Sequence, residues 1–189
     1  CPTNVGTGLR VSVMLHLPGL ALMDWLSHLF RAAEKIDLAV RGTGGEGTSP
    51  LGHVYQISNQ STLGETENDI VSRLDNVTER LVQIERNART RLLTHGGYTL
   101  YDFLGRAFGK LRHARLLDGE EATGELYTLR LATVLGILPR TAQNTVTNLI
   151  QHIQPAHLMK NAEKLGINSK EERDRHRAAL LRAGMQRIE

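Results

Sequence analysis

The sequence predicts an α+β domain, with an antiparallel sheet flanked by helices, followed by an all-α domain. Three short runs in the first half have the alternation or the residue types of strands. A long amphipathic stripe then leads to Gly96-Gly97, and only helical periodicity follows those glycines. The length of 189 residues allows one or two domains. We therefore expect one domain over residues 1–95 and another over residues 96–189.

The first half predicts a mixed order of strands and helices. Apolar residues at every second position indicate a strand that Pro18-Gly19 ends, and spacings of four and three from Ile70 to Ala88 indicate a long helix. A glycine-rich loop between two further strands is longer than a hairpin turn requires. The predicted elements are a strand at 9–17, a helix at 21–36, strands at 37–41 and 53–58, and a helix at 66–93.

The second half predicts helices alone. Asp118 with Glu121, and Ser169 with Glu172, have the spacing of capping boxes, as Thr66 with Asp69 has in the first half. The predicted helices lie near 99–117, 119–135, 141–153, 156–165 and 169–186.

The composition excludes several classes of protein. Hydrophobic residues make up 40% of the chain and charged residues 23%, which excludes general disorder. One cysteine excludes a disulfide framework and a cysteine-rich zinc site. No apolar run approaches the roughly 18 residues of a membrane span, and no secretory signal is present, so no membrane partner is expected.

The chain begins with Cys1, where a complete protein begins with Met. A mature lipoprotein also begins with cysteine, but a polar tether follows it, whereas here a β pattern starts at Arg10. We therefore expect the chain to be a piece of a larger protein.

The positive charge lies in the second half. Residues 1–95 hold 9 Lys and Arg and 10 Asp and Glu, whereas residues 96–189 hold 14 and 10. This excess suggests an anionic partner. Since aromatic residues make up only 4% of the chain, few side chains are present on which bases stack, and nucleic acid is not the expected partner. DNA binding by the helical half stays open as a hypothesis.

Two arginines stand beside glycine-rich segments in the first half. Arg10 stands at the start of one predicted strand and Arg41 ends another, and guanidinium groups suit the oxygens of a polyphosphate. Glycines let backbone N–H groups approach such a ligand, and Glu46 lies within the second glycine-rich loop. Each feature alone also fits a surface salt bridge or a flexible loop. No Gly-Lys-Ser/Thr follows either segment, which excludes a P-loop.

Taken together, these segments resemble the phosphagen (guanidino) kinase superfamily. The string Cys1-Pro2-Thr3-Asn4-Val5-Gly6-Thr7-Gly8-Leu9-Arg10 is similar to its active-site signature. The loop at 40–46 and the strand at 54–59 resemble the elements that follow it there. Thr62-Leu63-Gly64, the long helix and the helical tail resemble the bacterial protein arginine kinase branch, so the predicted fold is the C-terminal half of a phosphagen-kinase catalytic domain with a helical domain after it.

The resemblance implies transfer of the ATP γ-phosphoryl group, with Mg, to the guanidinium of a protein arginine. It implies Cys1 and Glu46 as catalytic residues: the thiolate orients the guanidinium, and the carboxylate holds it and accepts its proton. The implied ATP-binding residues are Arg10, Val11, Ser12, Val13, Met14, Arg41, Gly42, Thr43, Gly44, Gly45 and Glu46.

The sequence departs from the family pattern at two loop positions. Gly44 stands where relatives have Tyr or Arg, and Ser49 where many have Glu. The family's other nucleotide-binding arginines and its second catalytic carboxylate precede the position of Cys1. We therefore expect this chain to hold half of an active site and to be inactive alone.

The last predicted helix carries a second candidate site. At 100° per residue, Asp174 falls within the stripe of Ala178 and Leu181, where an unpaired carboxylate is costly. A salt-bridged helix edge explains the motif without a ligand. A charged pocket is the alternative, in which Asp174 binds a guanidinium while Arg173 and Arg177 hold a phosphate. The resemblance implies a phosphoarginine-binding pocket, formed by Arg173, Asp174, Arg175, His176, Arg177 and Ala178.

The resemblance also implies partners. These are protein substrates bearing arginine, a zinc-finger activator, a Clp-type protease and further copies of the chain, in an allosterically regulated stress response in the bacterial cytoplasm. No histidine has metal-ligand spacing; His152 and His157 are separated by Pro155. A non-catalytic phosphoarginine-binding module remains the alternative function.

Overall fold

The computed structural model describes residues 5–42, 50–165 and 169–188. It divides into two compact units, residues 1–95 and residues 96–189, which are described separately below. The first unit is mixed and the second is helical, so the predicted α+β class with an all-α segment after it is confirmed.

Within its described residues, the first unit contains three strands and three helices. In chain order these are β1 (Ser12–His16), α1 (Pro18–Leu22), α2 (Leu26–Glu34), β2 (Leu38–Gly42), β3 (Val54–Asn59) and α3 (Glu67–His95), with a 3-10 turn at Leu51–His53.

The strands form one antiparallel sheet in the order β1-β3-β2. Ser12 pairs with Ser58 across the first ladder, and Ala39 pairs with Ser58 across the second. Because side chains alternate between the faces of a sheet, one face carries Val13, Ile57 and their apolar neighbours, which pack in the core. The face that carries Ser12 and Ala39 is more open to solvent.

The single helix predicted over 21–36 is wrong in its extent. The structure has two helices there, because Asp24 adopts a left-handed φ of 56° that ends the first of them. Pro18 follows the strand, as predicted, and also occupies the first turn of α1. Its missing N–H costs no helical hydrogen bond at that position.

A buried ion pair joins α3 to the end of β1. Glu85 is 3% exposed and accepts hydrogen bonds from the backbone N–H groups of Gly19 and Leu20, at 2.9 Å each. Arg89 donates from Nε to Glu85 at 2.6 Å and from Nη2 to the carbonyl of His16 at 3.2 Å. A buried carboxylate is tolerated where it is paired in this way. The pair therefore holds the segment that follows β1 against α3.

The buried side chain of Tyr55 makes this unit less stable as the pH rises in the alkaline range. Tyr55 is 5% exposed and meets Phe30 edge-on, with ring centroids 5.0 Å apart. Burial, and to a lesser extent the charge of Glu85, raises the pKa of Tyr55 to about 12. The unfolded chain releases this proton near the ordinary pKa of 10.0, so stability is lost as the pH rises from there toward 12.

We expect Tyr55→Phe to flatten that loss of stability in urea unfolding measured between pH 9 and pH 12, on the linkage argument. Tyr98→Phe is the matched control, because Tyr98 is 94% exposed. A control that flattens the profile as much as Tyr55→Phe would contradict the assignment to Tyr55.

The second unit is a bundle of five helices among the residues described there. They are α4 (Gly97–His113), α5 (Gly119–Val134), α6 (Thr141–His152), α7 (Pro155–Leu165) and α8 (Lys170–Met185). Leu111, Leu126, Val146 and Leu181 are fully buried in its core. A Cβ on Gly184 would lie 2.6 Å from the Leu149 side chain, so α6 and α8 approach closely at this glycine.

The predicted helix caps are observed. The Asp118 side chain accepts a hydrogen bond from the N–H of Glu121, and Ser169 and Glu172 form a reciprocal capping box. Among the described residues, no helix is long and apolar enough to cross a membrane.

Candidate functional site

A cleft of about 150 Å³ lies on the open side of the three-stranded sheet. Its walls come from the segment before β1, from β2 and from the end of β3. The described lining residues are Leu9, Arg10, Ala39, Arg41, Ser58, Asn59, Gln60 and Thr62. This lining contains two guanidinium groups and no carboxylate, which makes the cleft suited to an anion.

The sheet explains why Arg10 and Arg41 line one cleft although 31 positions separate them in the sequence. The central strand β3 lies between β2, which carries Arg41, and β1, which begins two residues after Arg10, and both side chains are exposed. Arg41 stands opposite Gln56 in the ladder. Strands in one sheet lie about 4.8 Å apart, so long side chains on the two flanking strands reach a shared ligand.

The predicted ATP-binding stretch 10–14 divides between the two faces of the sheet. Val11 and Val13 are half-buried, and their side chains pack against the apolar core of the first unit rather than facing the cleft. Ser12 lies on the open face and accepts a hydrogen bond from Gln56 at 3.0 Å. Met14 is 56% exposed.

Several predicted residues of this site lie outside the described residues. They are Cys1, Thr43, Gly44, Gly45 and Glu46. Gly42 is described, and a Cβ there would lie 3.0 Å from Cα of Pro50. The two ends of the glycine-rich loop therefore meet closely, and glycine at this position permits the approach.

Sequence reasoning missed the apolar lining residues Leu9 and Ala39 and four polar residues of the cleft: Ser58, Asn59, Gln60 and Thr62. Ser58, Asn59 and Thr62 are buried. The one signal in the sequence was a run of polar residues directly after an apolar strand, which is equally typical of a turn.

The second candidate site is centred on α8, where Asp174 and Arg177 form an ion pair. Arg177 Nη1 lies 2.5 Å from Asp174 Oδ1 and 2.7 Å from the carbonyl oxygen of Leu117, to which it donates. The side chains are 7% and 16% exposed for Arg177 and Asp174. Arg182 likewise donates to the carbonyl of Ala114 at 2.6 Å. These bonds join α8 to the connection between α4 and α5.

The opposite edge of the Arg177 guanidinium is formed by Nε and Nη2. Its buried Nε has no hydrogen-bond partner among the described residues, and its Nη2 is the atom nearest to a Cβ placed on Gly119, at 3.7 Å. A buried donor without a partner is costly. The Nε–Nη2 edge of arginine binds two oxygens of a phosphate in parallel, so an oxyanion fits the chemistry of this edge.

The other predicted residues of this site lie along the same helix. Arg173 and His176 are half-buried, Arg175 is exposed and Ala178 is fully buried in the core. The buried Nε2 of His176 has no hydrogen-bond partner in the part of the chain that is described. Ala178 therefore contributes packing rather than a polar contact.

Two family models match the chain. Residues 1–88 match the ATP:guanido phosphotransferase C-terminal catalytic domain. Residues 97–189 match the protein-arginine kinase McsB C-terminal domain. The two matches meet close to the division between the two compact units.

Curated relatives resemble the chain over nearly its whole length. A protein-arginine kinase of Halalkalibacterium halodurans is 44% identical over 183 residues, which are 97% of this chain and 51% of that protein. One of Syntrophomonas wolfei is 41% identical over 98% of this chain and 51% of its own length. One of Geobacillus stearothermophilus is 44% identical over 96% and 50%. The chain spans about half the length of the curated relatives it matches.

Proposed function

Because the chain belongs to the ATP:guanido phosphotransferases over residues 1–88 and to the protein-arginine kinase C-terminal domains over residues 97–189, we propose that it is part of a kinase. This kinase phosphorylates arginine side chains of proteins. The first unit binds ATP and the second binds phosphoarginine. The observation that carries the proposal is the cleft that Arg10 and Arg41 share on the open face of the sheet.

In this proposal, Arg10 and Arg41 bind the phosphate oxygens of ATP. Phosphoryl transfer depends on positioning and on neutralising charge, and two guanidinium groups supply both. We assign further ATP contacts to residues 11–14 and to Gly42 on the family resemblance. The described lining of the cleft offers no carboxylate, so Mg²⁺ would be held by the ATP phosphates rather than by these residues, and it would neutralise part of the phosphate charge.

The reaction also requires groups that handle the guanidinium. A guanidinium, which stays protonated throughout the ordinary pH range, is a poor nucleophile until a carboxylate holds it and accepts its proton. We assign that role to Glu46 and assign the orienting thiolate to Cys1, on the family resemblance. Both assignments fall outside the described residues and remain proposals.

The cellular role is proposed on the same resemblance. The kinase would act in the bacterial cytoplasm during stress, on proteins bearing arginine, with a zinc-finger activator and a Clp-type protease as partners. Homo-oligomers and allosteric control by phosphoarginine are part of this proposal.

A non-catalytic phosphoarginine-binding module is the second candidate. The observation that favours it is the Arg177 guanidinium, which Asp174 and Leu117 hold through Nη1 while its Nε has no hydrogen-bond partner among the described residues. Such a module would bind the modified arginine and would not turn over ATP.

The two candidate functions differ in ATP consumption, because the kinase would turn over ATP and the binding module would not. The test joins this chain to the half of the Halalkalibacterium halodurans relative that the chain does not match, and supplies Mg-ATP and an arginine-bearing protein. We expect acid-labile phosphate on arginine, because a phosphoramidate bond is cleaved by acid. Binding of a phosphoarginine peptide without any ATP consumption by the joined protein would select the module instead.

A further inference from the structure

The side chain of Asn59 is bonded to the backbone on both sides of Arg10. Asn59 ends β3 and is 6% exposed. Its Oδ1 accepts a hydrogen bond from the N–H of Val11 at 2.8 Å, and its Nδ2 donates to the carbonyl of Leu9 at 2.9 Å. Arg10 is the residue between these two contacts, so one buried side chain spans its backbone.

Both N–H donors of the Asn59 amide are used, and its oxygen accepts one hydrogen bond. Besides its bond to Leu9, Nδ2 donates to the carbonyl of Ser61 at 3.2 Å. Only the amide side chains combine an acceptor with two donors, and Gln would place them one methylene further out. Because Val11 N–H must meet an acceptor and the Leu9 carbonyl must meet a donor, these two contacts also fix which position of the Asn59 amide is oxygen and which is nitrogen.

The sheet does not hold Arg10 by itself. The paired register of β1 begins with Ser12 opposite Ser58, two residues after Arg10. Beyond that pair, the backbone N–H of Asn59 donates to the carbonyl of Val11 at 3.3 Å, and the Asn59 side chain makes the next contacts. Asn59 therefore continues the ladder past its end, to the segment that carries Arg10.

The segment before Arg10 is held by the same turn. Thr62 is 2% exposed and donates from Oγ1 to the carbonyl of Val5 at 2.6 Å. Its own carbonyl accepts from Thr7 N–H at 3.3 Å. Gly6 lies between them at a φ of 80°, and a Cβ there would lie 2.1 Å from the Thr62 oxygen. Residues 59–62 thus fix residues 5–11 at two places.

We propose that Asn59 is a positioning residue for nucleotide binding. It holds the Leu9–Val11 backbone so that the Arg10 guanidinium faces the cleft shared with Arg41. This inference rests on the proposed function, in which the cleft takes the polyphosphate of ATP. Asn59 acts through Arg10 and not by touching the phosphates.

The test is a double-mutant cycle on ATP affinity, measured with the whole chain by calorimetry in the presence of Mg²⁺. We expect Asn59→Ala to weaken ATP binding about five- to tenfold, the range for losing hydrogen bonds that orient a charged group. In the Arg10→Ala background the same substitution should change the affinity less than about twofold, because groups that act through one another are not additive. Asn87→Ala, an exposed asparagine on α3, is the matched control.

Each outcome decides the inference. An equal loss from Asn59→Ala in both backgrounds, or no loss in the wild-type background, overturns the positioning role while the ATP site stands. Failure of the wild-type chain to bind ATP overturns the proposed function and this inference together. If Asn59→Ala does not fold, Asn59→Ser, whose hydroxyl is too short to span Leu9 and Val11, replaces it in the same cycle.

Discussion

Replacing Asp174 with alanine is expected to abolish binding of a phosphoarginine peptide, with a loss of affinity of at least about 100-fold. Arg177 contacts Asp174 through Oδ1 at 2.5 Å, and we propose that the ligand's guanidinium binds Oδ2. Truncating one partner of a buried, hydrogen-bonded charge pair between protein and ligand costs about 2–5 kcal/mol of binding free energy, and each 1.4 kcal/mol is a factor of ten in affinity. The substitution therefore removes one ligand contact and displaces the arginine proposed to hold the phosphate.

The measurement is calorimetric titration of the chain with a phosphoarginine peptide. Asp102→Ala is the matched control, because Asp102 also pairs with an arginine on its own helix, Arg106, but is 64% exposed. Asp174→Asn, which keeps the shape of the side chain, should also lose most of the affinity, and far-UV circular dichroism verifies that both variants fold. Unchanged affinity in a folded Asp174→Ala variant would refute the pocket and favour the salt-bridged helix edge.

The periodicity of the sequence predicted the helical elements of the fold well. The stripe from Ile70 to Ala88 gave α3, and the capping residues Ser169 and Glu172 marked the start of α8. The error at 21–36 arose because apolar spacing continues across Asp24, whose positive φ is a backbone conformation that hydrophobic spacing does not encode. Periodicity shows which residues face the core and not where the chain turns.

The candidate sites could be predicted only in part. Alternation placed Arg10 on one face of a strand and Val11 on the other, and Arg41 was singled out by its place at the end of a predicted strand beside a glycine-rich loop. The role of Asn59 depends on a register in which β3 lies between β1 and β2, and on contacts with Leu9 and Val11 made across 50 and 48 positions of chain. Contacts at that separation leave no periodic trace in the sequence. The Arg177 contact with Leu117 was missed for the same reason.

Loss of Arg10 or Arg41 is expected to weaken ATP binding by about 10- to 100-fold each, since a hydrogen bond to a charged group contributes about 1.5–3 kcal/mol. Adenosine, which lacks phosphates, should bind the variants and the wild-type chain alike. Raising the salt concentration should weaken ATP binding to the wild-type chain more than to either variant, because fewer charges remain to be screened in the variants. Arg80→Ala on the exposed surface of α3 is the control for net charge.

Titration of the whole chain with Mg-ATP, for the wild type, Arg10→Ala, Arg41→Ala and Arg80→Ala, therefore tests most directly whether the two arginines form one polyphosphate site. We predict saturable binding by the wild type and by Arg80→Ala, and affinities at least about tenfold lower for the two cleft variants. Affinities for ATP within twofold of one another across all four proteins would contradict the account.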